Sequence, residues 1–213
     1  MLKVNEIYAS IQGESSHTGL PCVFIRLTGC NLRCSWCDTA YAFHDGKNLT
    51  LAQTLEQVET FNLPLVEITG GEPLMQEEVY PLMESLLKKG YRVMLETGGS
   101  LSIDKVPEKV IKILDIKCPG SGEEKKNHLE NLKHLSPHDE IKFVLLDRTD
   151  YEWSRSLMQK HDLASFTQVL FSPVYDKLDL KDLSQWILED QLPVRLQPQL
   201  HKVLWNKNAV GVC

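Results

Sequence analysis

Three cysteines within eight residues, Cys30-Asn31-Leu32-Arg33-Cys34-Ser35-Trp36-Cys37, constrain this chain more than any other stretch. The C-x3-C-x2-C spacing puts three thiolates on one small loop, and soft thiolates select a soft metal centre. Structural zinc takes four ligands, usually as two separated pairs. The other cysteines, Cys22, Cys118 and Cys213, stand alone, so no second pair is visible. A 4Fe–4S cluster held through three irons, its fourth iron open to a small molecule, fits the spacing better. A zinc knuckle and three unrelated cysteines are the plainer readings, and the surrounding sequence has to decide.

The rest of the chain sets bounds. Its 213 residues suffice for one domain with a sizeable core, and we expect residues 1–213 to form one. Hydrophobic content of 42% and charged content of 24% are ordinary for a globular protein. A net charge of −6 argues against a general nucleic-acid or anionic-membrane surface. No apolar run reaches the roughly 18 residues of a membrane span, and the N-terminus lacks the plan of a signal peptide. Clustered rather than paired cysteines argue against a secreted disulfide framework and for a reducing cytoplasm.

Strand and helix signals alternate. Val4 to Ser10, Pro21 to Leu27, Leu65 to Thr69, Tyr91 to Glu96, Ile111 to Ile116, Ile141 to Leu146, Val169 to Phe171 and Val194 to Leu196 read as strands. A helix opens at Leu51 behind a capping box formed by Thr50 and Gln53. Glu77 to Lys89, ended by Gly90, Tyr151 to His161 and Leu180 to Glu189 read as helices, with a charged, weaker candidate over Glu124 to Leu135. Alternation implies parallel strands joined by right-handed crossovers. The chain is short of the ~250 residues of an eight-unit barrel. We therefore expect an α/β partial barrel of about six β/α units, with an open doubly wound sheet as the alternative. Either way ligands bind at the carboxyl ends of the strands. There the unusual loops converge: the cysteine loop, Gly70-Gly71-Glu72-Pro73, Thr97-Gly98-Gly99 and the turn after Lys117.

Gly-Gly-Glu-Pro alone is an ordinary strand-to-helix turn. Together with the upstream cysteines and Trp36 it resembles the radical S-adenosylmethionine (SAM) superfamily. The order of Gln12-Gly13-Glu14, Arg26, Cys37-Asp38-Thr39, Gly70 to Pro73 and Glu96 to Gly99, followed by Gln199, His201 and Lys202, narrows this. Over nearly the whole chain it resembles the 7-carboxy-7-deazaguanine synthase family. Ser15 departs from the common Gln-Gly-Glu-Gly, and the residues after Trp205 match no pattern.

The resemblance implies a shortened β/α barrel in a homodimer, with a 4Fe–4S cluster, SAM and Mg²⁺ as cofactors. It implies conversion of 6-carboxy-5,6,7,8-tetrahydropterin to 7-carboxy-7-deazaguanine with loss of ammonia, a radical lyase step toward queuosine and other deazapurines. It implies an electron donor such as flavodoxin or ferredoxin. By the same resemblance Cys30, Cys34 and Cys37 hold the cluster and Thr39 binds Mg²⁺. Trp36, Cys37, Asp38, Gly70, Gly71, Glu72, Gly99, Asp115, Ile116, Lys117, Ser172, Pro173 and Val174 contact SAM. Ile11, Gln12, Gly13, Glu14, Arg26, Thr97 and His201 contact substrate. Alternation sets Arg26 on the face opposite Ile25 and Leu27. Inward, it would meet the substrate carboxylate with a two-pronged bond; outward, it would be solvated or paired with Glu14. A glycyl-radical-enzyme activase shares the cysteine spacing but needs no early Gln-Gly-Glu. A pure electron carrier would usually give every iron a protein ligand.

Overall fold

The computed structural model of the chain describes residues 1–205 and Gly211. Cys213 and most of the stretch after Trp205 lie outside the described residues.

Six apolar runs supply the frame. β2 (Pro21–Leu27), β4 (Leu65–Gly70), β5 (Arg92–Thr97), β6 (Ile111–Asp115), β7 (Glu140–Leu145) and β8 (Gln168–Pro173) lie side by side and parallel. They are covered on both faces, so they read as continuous hydrophobic runs. The helices α1 (Leu51–Glu59), α2 (Val79–Lys88), α3 (Arg148–Lys160) and α4 (Leu180–Glu189) cross over between strands. Their apolar stripes pack on the outward residues Ile25, Val66, Ile68, Val93, Leu95, Phe143 and Phe171 in one continuous core. This is the partial β/α barrel of the sequence reading.

The flanks differ from a uniform alternation. β1 (Leu2–Ile11) runs antiparallel to β2, and a short β3 (Lys47–Leu49), which the sequence did not announce, pairs antiparallel with β1. At the other side β9 (Arg195–Leu196) adds parallel to β8. The strand order is β3-β1-β2-β4-β5-β6-β7-β8-β9, so among the described residues the sheet does not close on itself. Because β1 is antiparallel, it ends beside the amino ends of the parallel strands. The loop over residues 12–20 therefore enters the lumen from below.

The lateral opening is bridged by side chains. Gln197 Nε2 donates to the Gly13 carbonyl (3.2 Å) and to Thr18 Oγ1 (2.9 Å), and Leu200 N donates to the same carbonyl (3.2 Å). A Cβ on Gly13 would lie 3.1 Å from His201 N, so the short helix α5 (Leu200–Leu204) can approach this closely only over glycine.

The segment 124–135 is not an α-helix but two short 3₁₀ turns. Leu132 and Leu135 pack against the core, but two asparagine side chains tie the segment to backbone elsewhere in the chain. Asn127 accepts from Lys117 N (2.9 Å) and donates to Lys117 O (2.8 Å), while Asn131 accepts from Ile103 N (3.1 Å) and donates to Leu101 O (2.8 Å).

Candidate functional site

Strand alternation sorts the lumen into two layers. The lower one is apolar: Cys22, Phe24, Leu65, Met94 and Ile113 pack together with Tyr8 and Ile111. Above it β2, β4, β5 and β6 present Arg26, Glu67, Glu96 and Asp115, β7 adds Lys142, and the loop from below adds Gln12 and Glu14. These groups form the floor of a cleft of about 660 Å³ whose upper wall carries Cys30, Cys34 and Cys37. A second cavity of about 460 Å³ lies outside it, between Pro173, the 175–180 turn and Val203, and contains no cysteine.

The cysteine loop is strapped on both sides. Glu72 N donates to Gly29 O (2.8 Å), and a Cβ on Gly71 would fall 2.2 Å from that oxygen. On the other side Ser35 N donates to Ser121 O (3.0 Å) and Arg33 N to Glu123 (2.8 Å). The three thiols are free, half-buried and near enough to influence one another's charge. Burial raises Cys30 and pushes Cys34 up to about 11, with Lys117 working against both. Binding a metal centre there displaces protons. Among the described residues no three His, Cys, Asp or Glu groups converge on a single ion. A cubane spreads its thiolates over separate irons, here three of the four, so three neighbouring thiols that do not converge on one ion fit a cluster better than zinc.

Gly70 and Gly71 open onto the cleft, but the Glu72 side chain does not. It is fully buried and accepts from Leu74 N (3.0 Å), Gly98 N (2.8 Å) and Thr97 Oγ1 (2.8 Å). Burial raises its pKa against those donors. Glu72 thus ties the Gly-Gly-Glu-Pro turn to the end of β5, and the Thr97 hydroxyl is committed to it.

The polar floor centres on Lys142, buried with its ammonium donating to Glu14 (3.0 Å) and to Glu96 and lying 3.9 Å from Asp115. Burial would discharge it; Glu96, Glu14 and Asp115 overcome this and hold its pKa well above the usual value. Burial would likewise raise Glu14, but Lys142, His201 and a hydrogen bond from Gln199 (2.9 Å) hold it well below the carboxylate range. His201 is itself lowered by burial, so Lys142 is the partner that counts at neutral pH. Asp115 also pairs with Lys117 (2.8 Å). Lys202, on α5, reaches Asp38 on the cysteine loop (2.5 Å).

Arg26 lies on the lumen face and lines the cleft, buried to 3% exposure. Its partner is Glu6 rather than Glu14: Nε donates to Glu6 (2.8 Å) and Nη2 to the Tyr8 hydroxyl (2.9 Å). Both named prongs of the guanidinium are thus engaged.

The cleft brings together Gln12, Glu14, Arg26, Trp36, Asp38, Thr39, Thr97, Asp115, Lys117, Val174 and His201 with the cysteines. Other expected positions lie off it. Ile11 pairs with Pro21 at the foot of β1, and Gly13 lies beneath α5. The Ile116 side chain is in the outer core. Pro173 faces the outer cavity. Gly99 backs onto the Asp115 carbonyl. Ser172 is buried, and its hydroxyl has no hydrogen-bond partner among the described residues. Lys142 and Glu67 were missed. The signal existed: Ile141-Lys142-Phe143 and Val66-Glu67-Ile68 repeat the charge-between-apolars pattern of Ile25-Arg26-Leu27.

Residues 24–118 match the model of the radical SAM superfamily. A 7-carboxy-7-deazaguanine synthase of Koribacter versatilis is 47% identical over 99% of this chain and 100% of its own length. The chain belongs to the 7-carboxy-7-deazaguanine synthase family. A family member from Chlorobaculum tepidum is 42% identical over 99% of this chain and 97% of its own length. The crystal structure of QueE from Escherichia coli shares the fold, with a TM-score of 0.76 over 93% of each chain at 22% identity. As a radical SAM protein of this family, the chain uses a 4Fe–4S cluster and SAM, for which Cys30, Cys34, Cys37 and the Gly70-Gly71 backbone are the fitting residues.

Proposed function

We propose that this protein is a 7-carboxy-7-deazaguanine synthase, contracting 6-carboxy-5,6,7,8-tetrahydropterin to 7-carboxy-7-deazaguanine with loss of ammonia, in queuosine and deazapurine biosynthesis. One observation supports this beyond family membership: three free thiols and a buried carboxylate–lysine floor open on one cleft large enough for cofactor and substrate together. The cluster and SAM, when bound, supply the radical that starts the rearrangement. The protein's part is geometric. Cys30, Cys34 and Cys37 hold the cluster at the upper wall, and Gly70 and Gly71 offer backbone at close approach. Trp36, Asp38 and Lys117 flank the same space. Beneath, Gln12, Glu14, Arg26 and His201 face the substrate, and α5 with Gln199 shields it from the side.

Thr39 lines the cleft with its hydroxyl 3.7 Å from Cys37 Sγ. We assign it to Mg²⁺, a hard ion that shares few protein ligands with its substrate. Mg²⁺ should raise turnover, and Thr39→Ala should blunt the response; an unchanged Mg²⁺ dependence rejects the role. A homodimer in the cytoplasm, reduced by flavodoxin or ferredoxin, completes the reading. Among the described residues no helix is long and apolar enough to cross a membrane.

The test is anaerobic turnover of reconstituted protein with SAM, dithionite and carboxytetrahydropterin, followed by mass spectrometry. Appearance of carboxydeazaguanine supports the assignment. SAM cleavage without pterin conversion would favour an activase, and no SAM cleavage a carrier.

A further inference from the structure

Among the described residues the Glu67 carboxyl answers one group, the Gln12 amide. Glu67 sits mid-strand on β4, facing the lumen between Phe24 on β2 and Met94 on β5. It is 2% exposed, and among the described residues one hydrogen bond reaches its carboxyl, from Gln12 Nε2 to Oε2 (3.2 Å). Burying a carboxyl between two apolar side chains with a single donor is unfavourable, and such groups cluster at functional sites. Glu67 lines the same cleft as the cysteines.

Gln12 is built to serve it. Its Oε1 accepts from Glu14 N and Ser15 N, both at 3.1 Å. Those two donors fix the amide orientation, so the NH₂ end must face Glu67. The loop that enters the barrel from below therefore orients a donor onto this carboxyl. Each carboxyl oxygen still has acceptor capacity after one bond.

We propose that Glu67 is a specificity residue that reads the adjacent ring N–H and exocyclic amine of the substrate's amino-pyrimidinone ring with its two oxygens. The proposal rests on the pterin reading of the cleft and adds to it the residue that selects the ring. Two parallel N–H donors match a carboxylate's fork. Burial, with Glu96 nearby, holds the Glu67 carboxyl well above its ordinary range in the empty cleft, a bias that donors from a ligand offset.

The test compares two unreactive probes, 6-carboxypterin and 6-carboxylumazine, which differ in the exocyclic amine. Cluster-loaded protein with SAM is titrated anaerobically and binding is followed by probe fluorescence. Wild-type protein should prefer the pterin by about tenfold or more, the worth of a charge-assisted hydrogen bond. Glu67→Gln should bring the two affinities to within about twofold, while Glu67→Asp keeps a carboxylate and part of the preference. Iron content and Tm check that each variant is folded, and the Asp variant decides if Gln is not. A Glu67→Gln protein that retains the wild-type preference overturns the role of Glu67 and leaves the proposed function standing, as does a folded Glu67→Asp protein with no preference. Wild-type protein that binds neither probe and does not convert the carboxytetrahydropterin overturns both.

Discussion

Replacing Lys142 by methionine removes the cation beneath the cleft and keeps most of the side-chain volume. The side chain is 2% exposed, and its ammonium meets Glu14 at 3.0 Å, Glu96, and Asp115 at 3.9 Å. Removing one partner of a buried ion pair costs about 3–5 kcal/mol, because the remaining charge is left uncompensated. Here Glu14 and Glu96 retain 18% and 22% exposure, so cleft water relieves part of the cost and the lower end, about 3 kcal/mol, applies. For a chain of this size that is a fall in Tm of about 6–12 °C. The sign of the pH dependence follows from Glu14. Its pKa in the folded protein lies below the ordinary 4.5. It therefore contributes stability above 4.5 that is lost as pH falls through the folded value. Without Lys142, burial dominates and Glu14 takes up its proton at higher pH. The gap between parent and variant should be full at pH 7.5, narrower at pH 5.0, and narrower again below 4.5. Lys142 itself, raised above 10.5, titrates far outside this window. Urea unfolding at the three pH values measures the gap. Lys142→Met/Glu96→Gln should recover part of the loss, because one orphaned carboxylate has gone. A gap that is absent at pH 7.5, or equal at all three, would refute this account of the floor.

Three further outcomes follow from the upper wall and β2. Anaerobically reconstituted Cys30→Ala, Cys34→Ala and Cys37→Ala should each lose iron and visible absorbance, whereas Cys22→Ala and Cys118→Ala, both buried away from the cleft, should keep them; the reverse pattern rejects the ligand set. Gly71→Ala places a methyl 2.2 Å from Gly29 O and 2.8 Å from Cys30 Cβ, so it should lower cluster loading severalfold while far-ultraviolet dichroism stays unchanged, and normal loading would show that the two loops are not packed as described. Arg26→Lys keeps the charge but cannot serve Glu6 and Tyr8 as a fork. We expect normal iron content, a destabilisation of about 1–3 kcal/mol and a raised KM for carboxytetrahydropterin, whereas a wild-type KM would confine the guanidinium to Glu6 and Tyr8.

What could be read from the sequence was local. The capping box at α1 is present, with Thr50 Oγ1 accepting from Gln53 N (3.2 Å) and Gln53 Oε1 accepting from Thr50 N (2.9 Å), because its partners lie within one turn. The cysteine loop and Gly-Gly-Glu-Pro were legible for the same reason. Their residue types are dictated by thiolate chemistry and by a backbone approach that excludes a Cβ. Strand β3 was not legible: three residues, two of them Lys47 and Asn48, carry no alternation, and they pair because β1 offers an open edge. The 124–135 turns were misread because Leu129, Leu132 and Leu135 keep a helix-like spacing, while the bonds that shape the backbone, from Asn127 to Lys117 and from Asn131 to Leu101 and Ile103, reach segments that no local pattern announces. Arg26 shows a subtler limit. Alternation gave its face correctly, but its partner Glu6 sits on β1, and only the antiparallel register of β1 with β2, Glu6 opposite Arg26, brings the two together.

The floor of the cleft shows why its chemistry escapes a linear reading. Glu14 binds Lys142, 128 positions away, and Gln199, 185 positions away. One carboxylate thus joins the loop that enters the barrel from below, the middle of β7 and the helix that bridges the open side. None of the three segments is a motif by itself. We expect a functional consequence: ordering of the floor should be coupled to closure of the side opening through this carboxylate, alongside the Gln197 and Gly13 contacts. Loss of Lys142 would then loosen α5 as well, through Gln199, and with it the Lys202–Asp38 contact to the cysteine loop. Hydrogen exchange in α5 of Lys142→Met should rise together with exchange in the 12–16 loop. Exchange that rises in the loop while α5 stays protected would separate the two and show that the side opening is held by the Gln197 and Gly13 contacts alone.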